Sequence, residues 1–281
     1  MLLSDKYSFL TTYFTEALSA TNRPLPQSIL FYGNDLESQY TLAKEIARFL
    51  NCNEDRDDNC SCLNCRWIRE DNHPAVMTIS RIDNKPEDDD SKTVISVKQS
   101  EFIKNSLMNS SDFHRVFIFC DRDDEGNIAG LNQINFQAET ANSLLKIIEE
   151  PQPGVTFIFL TRYIDDLLST IISRSQCFFV PSLEKPNDDY SIISGVFDNY
   201  WEFKRQEVFD ISQKLQDLSK EYSVIKILEA IQNYMLIVLR ENSKNTNLIK
   251  HIEIVENCKK QAKLGIKPVN VFDDLCLKLI S

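Results

Sequence analysis

Residues 28 to 48 are laid out as a phosphate-binding strand, loop and helix, which restricts the chain to folds where a buried strand feeds a helix through a tight turn. Ser28, Ile29, Leu30, Phe31 and Tyr32 read as the strand, Gly33 opens the turn, and Thr41 to Leu50 continue as an amphipathic helix. The pattern G-x-x-x-x-G-K-[ST] asks for glycine so that backbone N–H groups can approach phosphate oxygens, lysine for its charge, and a short hydroxyl to ligate magnesium. This chain offers Gly33, then Ser38, Gln39 and Tyr40, so three of the four key positions fail. Asp35 and Glu37 also make the loop acidic, which repels phosphate. The layout predicts a nucleotide-binding scaffold that has stopped binding nucleotide.

Apolar strand-like runs recur at 28 to 32, 75 to 80, 116 to 120, 155 to 160 and 177 to 180. Between them lie helical patterns, the clearest at Ala138 to Glu150, where Ala141, Leu144, Leu145 and Ile148 share one face and Pro151 ends the helix. Strands alternating with helices predict an α/β domain with a mostly parallel sheet covered on both faces. Ser182 to Asp189 is polar and reads as a linker. After it, Tyr190 to Leu218, Val224 to Arg240, Leu248 to Ala262 and Val271 to Ile280 predict an all-helical domain over 190–281, the last helix capped by Asn270. Asp83 to Lys92, with five acidic residues in ten, is expected to be a solvated loop, and Asp121 to Gln137 an enlarged loop between a strand and a helix.

The formal net charge of -11 argues against a protein that wraps nucleic acid by itself, since phosphate binding draws on clustered lysine and arginine. No apolar run approaches the roughly 18 to 20 residues that span a bilayer. Met1-Leu2-Leu3 is followed by Ser4-Asp5-Lys6, so no signal peptide is expected and the cytoplasm is the expected address.

Cys52, Cys60, Cys62 and Cys65 form C-x7-C-x-C-x2-C in a polar context, while Cys120, Cys177, Cys258 and Cys276 sit in apolar surroundings and read as small buried hydrophobes. Four clustered thiols suit a structural zinc site, because zinc takes four tetrahedral thiolates and such a site keeps no open position for water. The alternative is disulfides or free thiols, and a cytoplasmic address disfavours the disulfides. Bound zinc would hold together a loop with too few apolar residues to fold alone.

Val116 to Phe119 read as the second hydrophobic strand of such a scaffold, at whose end an active nucleotide site carries a magnesium-ordering Asp and a Glu. Here Cys120 and Asp121 stand in those places. A neutral buried thiol cannot order magnesium, and Asp121 alone reads as a surface turn residue. Ala141-Asn142-Ser143-Leu144-Leu145-Lys146-Ile147-Ile148-Glu149-Glu150-Pro151, then Thr156 to Thr161, then Ile172-Ser173-Arg174-Ser175-Gln176, closely resembles the bacterial clamp-loader AAA+ family. Leu25-Pro26-Gln27-Ser28, Asn51-Cys52, the cysteine cluster and His73-Pro74 extend the resemblance over roughly residues 20 to 181.

The resemblance implies an AAA+ P-loop-type core over 1–181, built on a five-stranded parallel sheet with a zinc-binding insertion at 52–65. It also implies a linker or reduced lid at 182–189 and a helical collar over 190–281. It implies a ring of gamma/tau-type ATPase subunits and a clamp-opening delta subunit, acting with a sliding clamp and primed DNA, with no membrane. Arg174 matches the arginine that reaches a neighbour's ATP, and Ser173 its adjacent serine; Ser175 departs from the family's cysteine. A planar, permanently charged guanidinium suits stabilisation of a transferring phosphoryl group. Thr161 matches the position that watches the terminal phosphate in active members but, beside Gln39 and Cys120, reads as a strand-end residue; Arg162 is expected at solvent or an interface.

The favoured expectation is therefore a non-hydrolysing wedge in a hetero-oligomeric clamp loader that binds no ATP and stimulates its partners' ATPase through Arg174. Two other readings stay open at this point: a divergent ATP-binding ATPase, and a zinc-containing nucleic-acid binder. Nothing supplies the first with the missing lysine charge, and the acidic flanks of the cysteine cluster disfavour the second.

Overall fold

The structure, a computed structural model, describes residues 7, 10, 13, 14, 16, 17, 25–54, 56, 59–85, 95–123, 125–132, 136, 146–149, 152–182, 190–197, 200, 204–241 and 246–280. The chain divides into two compact units, Met1–Val180 and Pro181–Ser281.

The first unit runs β1 (Ser28–Tyr32), α1 (Leu36–Asn51), α2 (Leu63–Arg69), β2 (Val76–Ile79), α3 (Val97–Met108), β3 (Arg115–Phe119), β4 (Asp121–Arg122), β5 (Ile128–Ala129), β6 (Val155–Thr161), α4 (Ser169–Ile172) and β7 (Gln176–Phe179). Five strands form one parallel sheet in the order β2-β3-β6-β1-β7. This is the expected five-stranded parallel sheet with flanking helices, and its strands lie within a residue of the apolar runs. β6, VTFIFLT, is buried at every position, as a central strand covered on both faces must be.

Register sorts the side chains. Phe117 lies opposite Phe157 and Phe119 opposite Phe159, so the four rings share one face. The pairs Phe117–Phe157 and Phe119–Phe159 stack with centroids 5.6 and 4.7 Å apart. Such pairs contribute about 0.5–1.5 kcal/mol beyond the area they bury. Ile95, Ile103, Leu107, Leu131, Ile148, Leu167 and Ile171 complete this core layer. α1 packs on β3 and β6, burying Leu36, Tyr40, Ala43, Ile46 and Ala47 at helical spacing.

In the second unit, α5 (Val208–Leu218), α6 (Val224–Glu241), α7 (Thr246–Lys263) and α8 (Pro268–Ile280) pack as α5 on α8, α6 on α7 and α7 on α8. Buried Ile227, Ile231 and Met235 belong to the α6 core, and Ile252, Val255 and Cys258 to that of α7. Among the described residues no helix is long and apolar enough to cross a membrane.

Several elements differ from expectation. α1 begins at Leu36, five residues before Thr41, because Asp35 caps it. The stretch from Tyr190 to Leu218 is not one helix: its described part holds 3-10 turns at Ser191–Ile193 and Arg205–Glu207, a Gly195 at φ 76°, and only then α5. Asn270 does not cap the last helix; it lies in its first turn, since Pro268 takes the first helical position, where the missing N–H costs nothing. The segment after Phe119 folds back as the antiparallel β4–β5 ribbon. Of the expected helix from Ala138 to Glu150 only 146–149 are described, and they are helical; residues 138–145 and 150 lie outside the described residues, as do 86–92 of the acidic loop.

Gly33 is the tight point of the sheet. Its φ is 132°, and a Cβ there would stand 2.2 Å from the Val180 carbonyl oxygen. Gly33→Ala is therefore expected to destabilise the protein by about 2–4 kcal/mol, combining backbone strain with overpacking. A urea unfolding midpoint equal to that of the unaltered protein would contradict this.

Candidate functional site

The turn after β1 has the outline of a phosphate cradle, but several of its polar groups are bonded within the protein. The Gly33 N–H donates to the carbonyls of Thr161 and Arg162 at 3.2 and 2.9 Å, drawing the loop onto the end of β6. Asp35, at the N-cap of α1, accepts from the Ser38 N–H at 3.0 Å, the Ser38 hydroxyl at 2.7 Å and the Tyr7 hydroxyl at 2.7 Å. A carboxylate thus occupies the helix N-terminus, where backbone N–H groups and the helix dipole would favour a phosphate.

Gln39 stands where lysine would, and it is fully buried. Its Nε2 donates to the Gly33 and Thr161 carbonyls at 2.8 and 3.1 Å, a short neutral clamp in place of a charged arm reaching outward. Tyr40 stands where the magnesium-binding hydroxyl would; its own hydroxyl bonds Thr78 Oγ1 at 2.8 Å and donates to Asp71 Oδ1 at 3.2 Å, and burial raises its pKa. The Thr161 hydroxyl donates to the Leu131 carbonyl at 2.8 Å. Arg162 is exposed.

Cys120 is fully buried, and burial pushes its thiol up to about 12, so it is neutral at physiological pH. Asp121, expected at the surface, is buried instead. It forms a two-point ion pair with Arg81, with Nε donating to Oδ1 at 2.7 Å and Nη2 to Oδ2, and it also accepts the Arg122 N–H at 2.8 Å. The β4–β5 ribbon turns the residue inward, and the guanidinium offsets its desolvation. Asp83, expected to be solvated, is part-buried and accepts from Arg122 Nε at 2.5 Å. Arg81 and Arg122 carry no sequence signal for these pairings, which join residues some 40 positions apart.

Arg174 is on the other edge of the domain, in the turn between α4 and β7, and it is exposed. Its Nη1 donates to the Thr170 carbonyl at 3.0 Å and to Ser173 Oγ at 3.3 Å, and its Nη2 to Glu149 Oε1 at 2.5 Å. The Ser173 hydroxyl is bonded to the Thr170 carbonyl at 3.1 Å, so Ser173 props the guanidinium. Ser175, the departure from cysteine, pairs with Ser28 across 2.8 Å. A shallow hollow of 520 Å³ opens here, lined by Pro26, Gln27, Ser28, Ile148, Glu149, Arg174 and Gln176.

The four clustered cysteines converge at the far end of α1. Their sulfurs lie within 4.8 Å of one another, with Cys52 to Cys60 at 3.5 Å and Cys52 to Cys62 at 4.0 Å. All four are free thiols rather than disulfides. Tetrahedral thiolates about 2.3 Å from a zinc-sized ion stand about 3.8 Å apart, so the spacing fits a metal ion held by Cys52, Cys60, Cys62 and Cys65. Burial pushes the Cys65 thiol up; Cys62, despite burial, falls to about 7 because the Cys65 and Asn53 N–H groups donate to it. The Asn64 amide donates to the Asn51 carbonyl at 2.8 Å, and Asn51 in turn bonds the His114 backbone at both its N–H and its carbonyl, which ties the cluster to α1 and β3. Since α1 has 16 residues, the cluster is about 24 Å from the cradle, too far to take part in chemistry there.

The sequence of residues 10–184 matches the family described as DNA polymerase III, delta subunit. The chain is 30% identical over 175 residues to DNA polymerase III subunit delta' of Bacillus subtilis, covering 61% of this chain and 47% of that protein. It is 32% identical over 181 residues to DNA polymerase III subunit gamma/tau of Mycoplasma genitalium, covering 61% of this chain and 27% of that protein. The matches thus span about half or less of the curated relatives. A gamma subunit-related protein of DNA polymerase III from Thermotoga maritima aligns over 98% of each chain at 15% identity and a TM-score of 0.39.

Elemental analysis of protein purified without chelator is expected to find one metal ion per chain, and Cys65→Ser to abolish it while lowering thermal stability. Metal-free preparations of full stability would rule out the metal centre.

Proposed function

The chain belongs to the DNA polymerase III, delta subunit family, and on that premise we propose that it is a non-hydrolysing subunit of a sliding-clamp loader. Its partners are gamma/tau-type ATPase subunits and a clamp-opening delta subunit, joined through the helical unit that follows Val180. Primed DNA and the sliding clamp are handled by the assembly. The zinc ion held by the four cysteines is structural, and the chain itself binds no ATP.

The observation that carries this reading is the contrast between two arginine- and phosphate-type positions on one domain. The cradle is closed on itself by Asp35 and Gln39, with the Cys120 thiol neutral behind it. Arg174 instead stands exposed beside an open hollow, propped by Ser173 and held by Glu149. The groups that would bind a nucleotide of its own are replaced by residues bonded or buried internally, whereas the arginine that would act on a neighbour's is exposed. The Glu149 pair is a surface contact of modest strength that a more densely charged phosphate can displace.

In a reconstituted assembly, Arg174→Ala is expected to slow ATP turnover at the site it faces by about 10³-fold or more while leaving assembly intact in gel filtration. Unchanged turnover would remove Arg174 from the neighbour's chemistry. Equilibrium dialysis of the isolated chain against labelled ATP is expected to show no binding, and micromolar affinity would overturn the non-hydrolysing reading.

A further inference from the structure

We propose that Arg48 is the positioning residue of the tetrathiolate metal centre, its guanidinium tuning the metal through a hydrogen bond to the Cys65 sulfur. The proposal rests on the four-cysteine metal reading and adds a residue outside the cysteine pattern. Arg48 is 1% exposed and lies one turn from the C-terminal end of α1. Its Nε and Nη2 both donate to a single oxygen, Glu45 Oε2, at 3.0 and 2.9 Å. That grip fixes one edge of the planar fork and turns the other edge to the cluster, where Nη1 donates to Cys65 Sγ at 3.8 Å. Cys65 is fully buried.

Burying a guanidinium costs free energy that its bonding partners must offset. A sulfur that carries charge contributes to that offset more than a neutral one. Four thiolates around a divalent cation leave a net charge of about −2 in a buried site, and a thiolate is a far stronger acceptor than a thiol. An N–H···S bond from a permanent cation withdraws charge from that sulfur and holds its orientation, as outer partners do for other metal ligands. Arg69 assists from α2 by donating from Nη1 to the Cys60 carbonyl at 2.8 Å, but it touches no sulfur in that contact. Through Arg48 the metal centre is coupled directly to the helix whose first turn closes the cradle.

The experiment compares full-length Arg48→Met, Arg48→Lys and the unaltered protein, by chelator competition for zinc and by the sulfur-to-cobalt charge-transfer band after cobalt(II) substitution. Arg48→Met, which keeps the apolar bulk, is expected to weaken zinc binding about 10–100-fold and to move the band to longer wavelength, because the unbonded sulfur donates more charge. Arg48→Lys is expected to restore part of both. A merely structural role would lower stability and leave the band in place, which would overturn the proposal. If Arg48→Met does not fold, Glu45→Gln serves in its place, and an unshifted band there would overturn it equally. Unaltered protein that holds no zinc would sink the metal reading together with this one; bound zinc with unchanged affinity and band in Arg48→Met would sink this one alone.

Discussion

Helix α1 is fastened at both ends, and the arrangement of the first unit depends on that. At its N-terminus Asp35 caps the first turn and Gln39 reaches back to carbonyls of the loop and of β6. At its C-terminus Asn64 accepts the role of closing the last turn by donating to the Asn51 carbonyl, and Asn51 holds the entry to β3 through His114. A parallel sheet gains little from hairpins, so its strands are kept in register by the helices that cross between them. Here the crossing helix is pinned to the strands beside it by side-chain hydrogen bonds as well as by its apolar face.

The same fastening determines the chemistry the cradle can perform. A working phosphate site leaves backbone N–H groups and a lysine unsatisfied until the ligand arrives. In this chain the ligand's place is taken by an internal carboxylate, and an N-cap of this kind stabilises a helix by about 0.5–2 kcal/mol. The side chain replacing lysine is neutral and fully buried, and the groups around Cys120 are joined as Arg81–Asp121 and Arg122–Asp83 pairs rather than left to coordinate a cation. The contacts that fasten α1 to the loop and to β6 are thus the same ones that fill the cradle. Arg174, by contrast, stands exposed in the turn before β7.

Much of the sheet was legible beforehand because strands buried on both faces are written as continuous apolar runs, and 28–32, 116–120 and 155–160 are such runs. The cysteine cluster was legible for a different reason: its four thiols lie within fourteen residues, so the spacing already limits the geometry. The burial of Asp121 is not legible locally, because its partner, Arg81, comes from 40 residues away and no local pattern announces it. The sequence from Tyr190 to Leu218 reads as one helix because apolar spacing does not distinguish an α-helix from 3-10 turns broken by a glycine at positive φ. Arg48 was invisible for the reason that makes it interesting: a charged residue on a helix is ordinarily solvated, and only packing buries it.

By itself the sequence determined the five parallel strands and the departure of the loop from a phosphate-binding pattern, because strand burial and the absence of a cradle lysine are properties of neighbouring residues. The tertiary structure decided where the remaining polar groups go. Asp35 fills an anion's place, Gln39 clamps a loop to a strand 122 residues away, and Arg48 meets the sulfur of Cys65. Those outcomes depend on which buried donors and acceptors are brought within about 3 Å, or a little farther for sulfur, once water has been excluded. No local pattern carries that information.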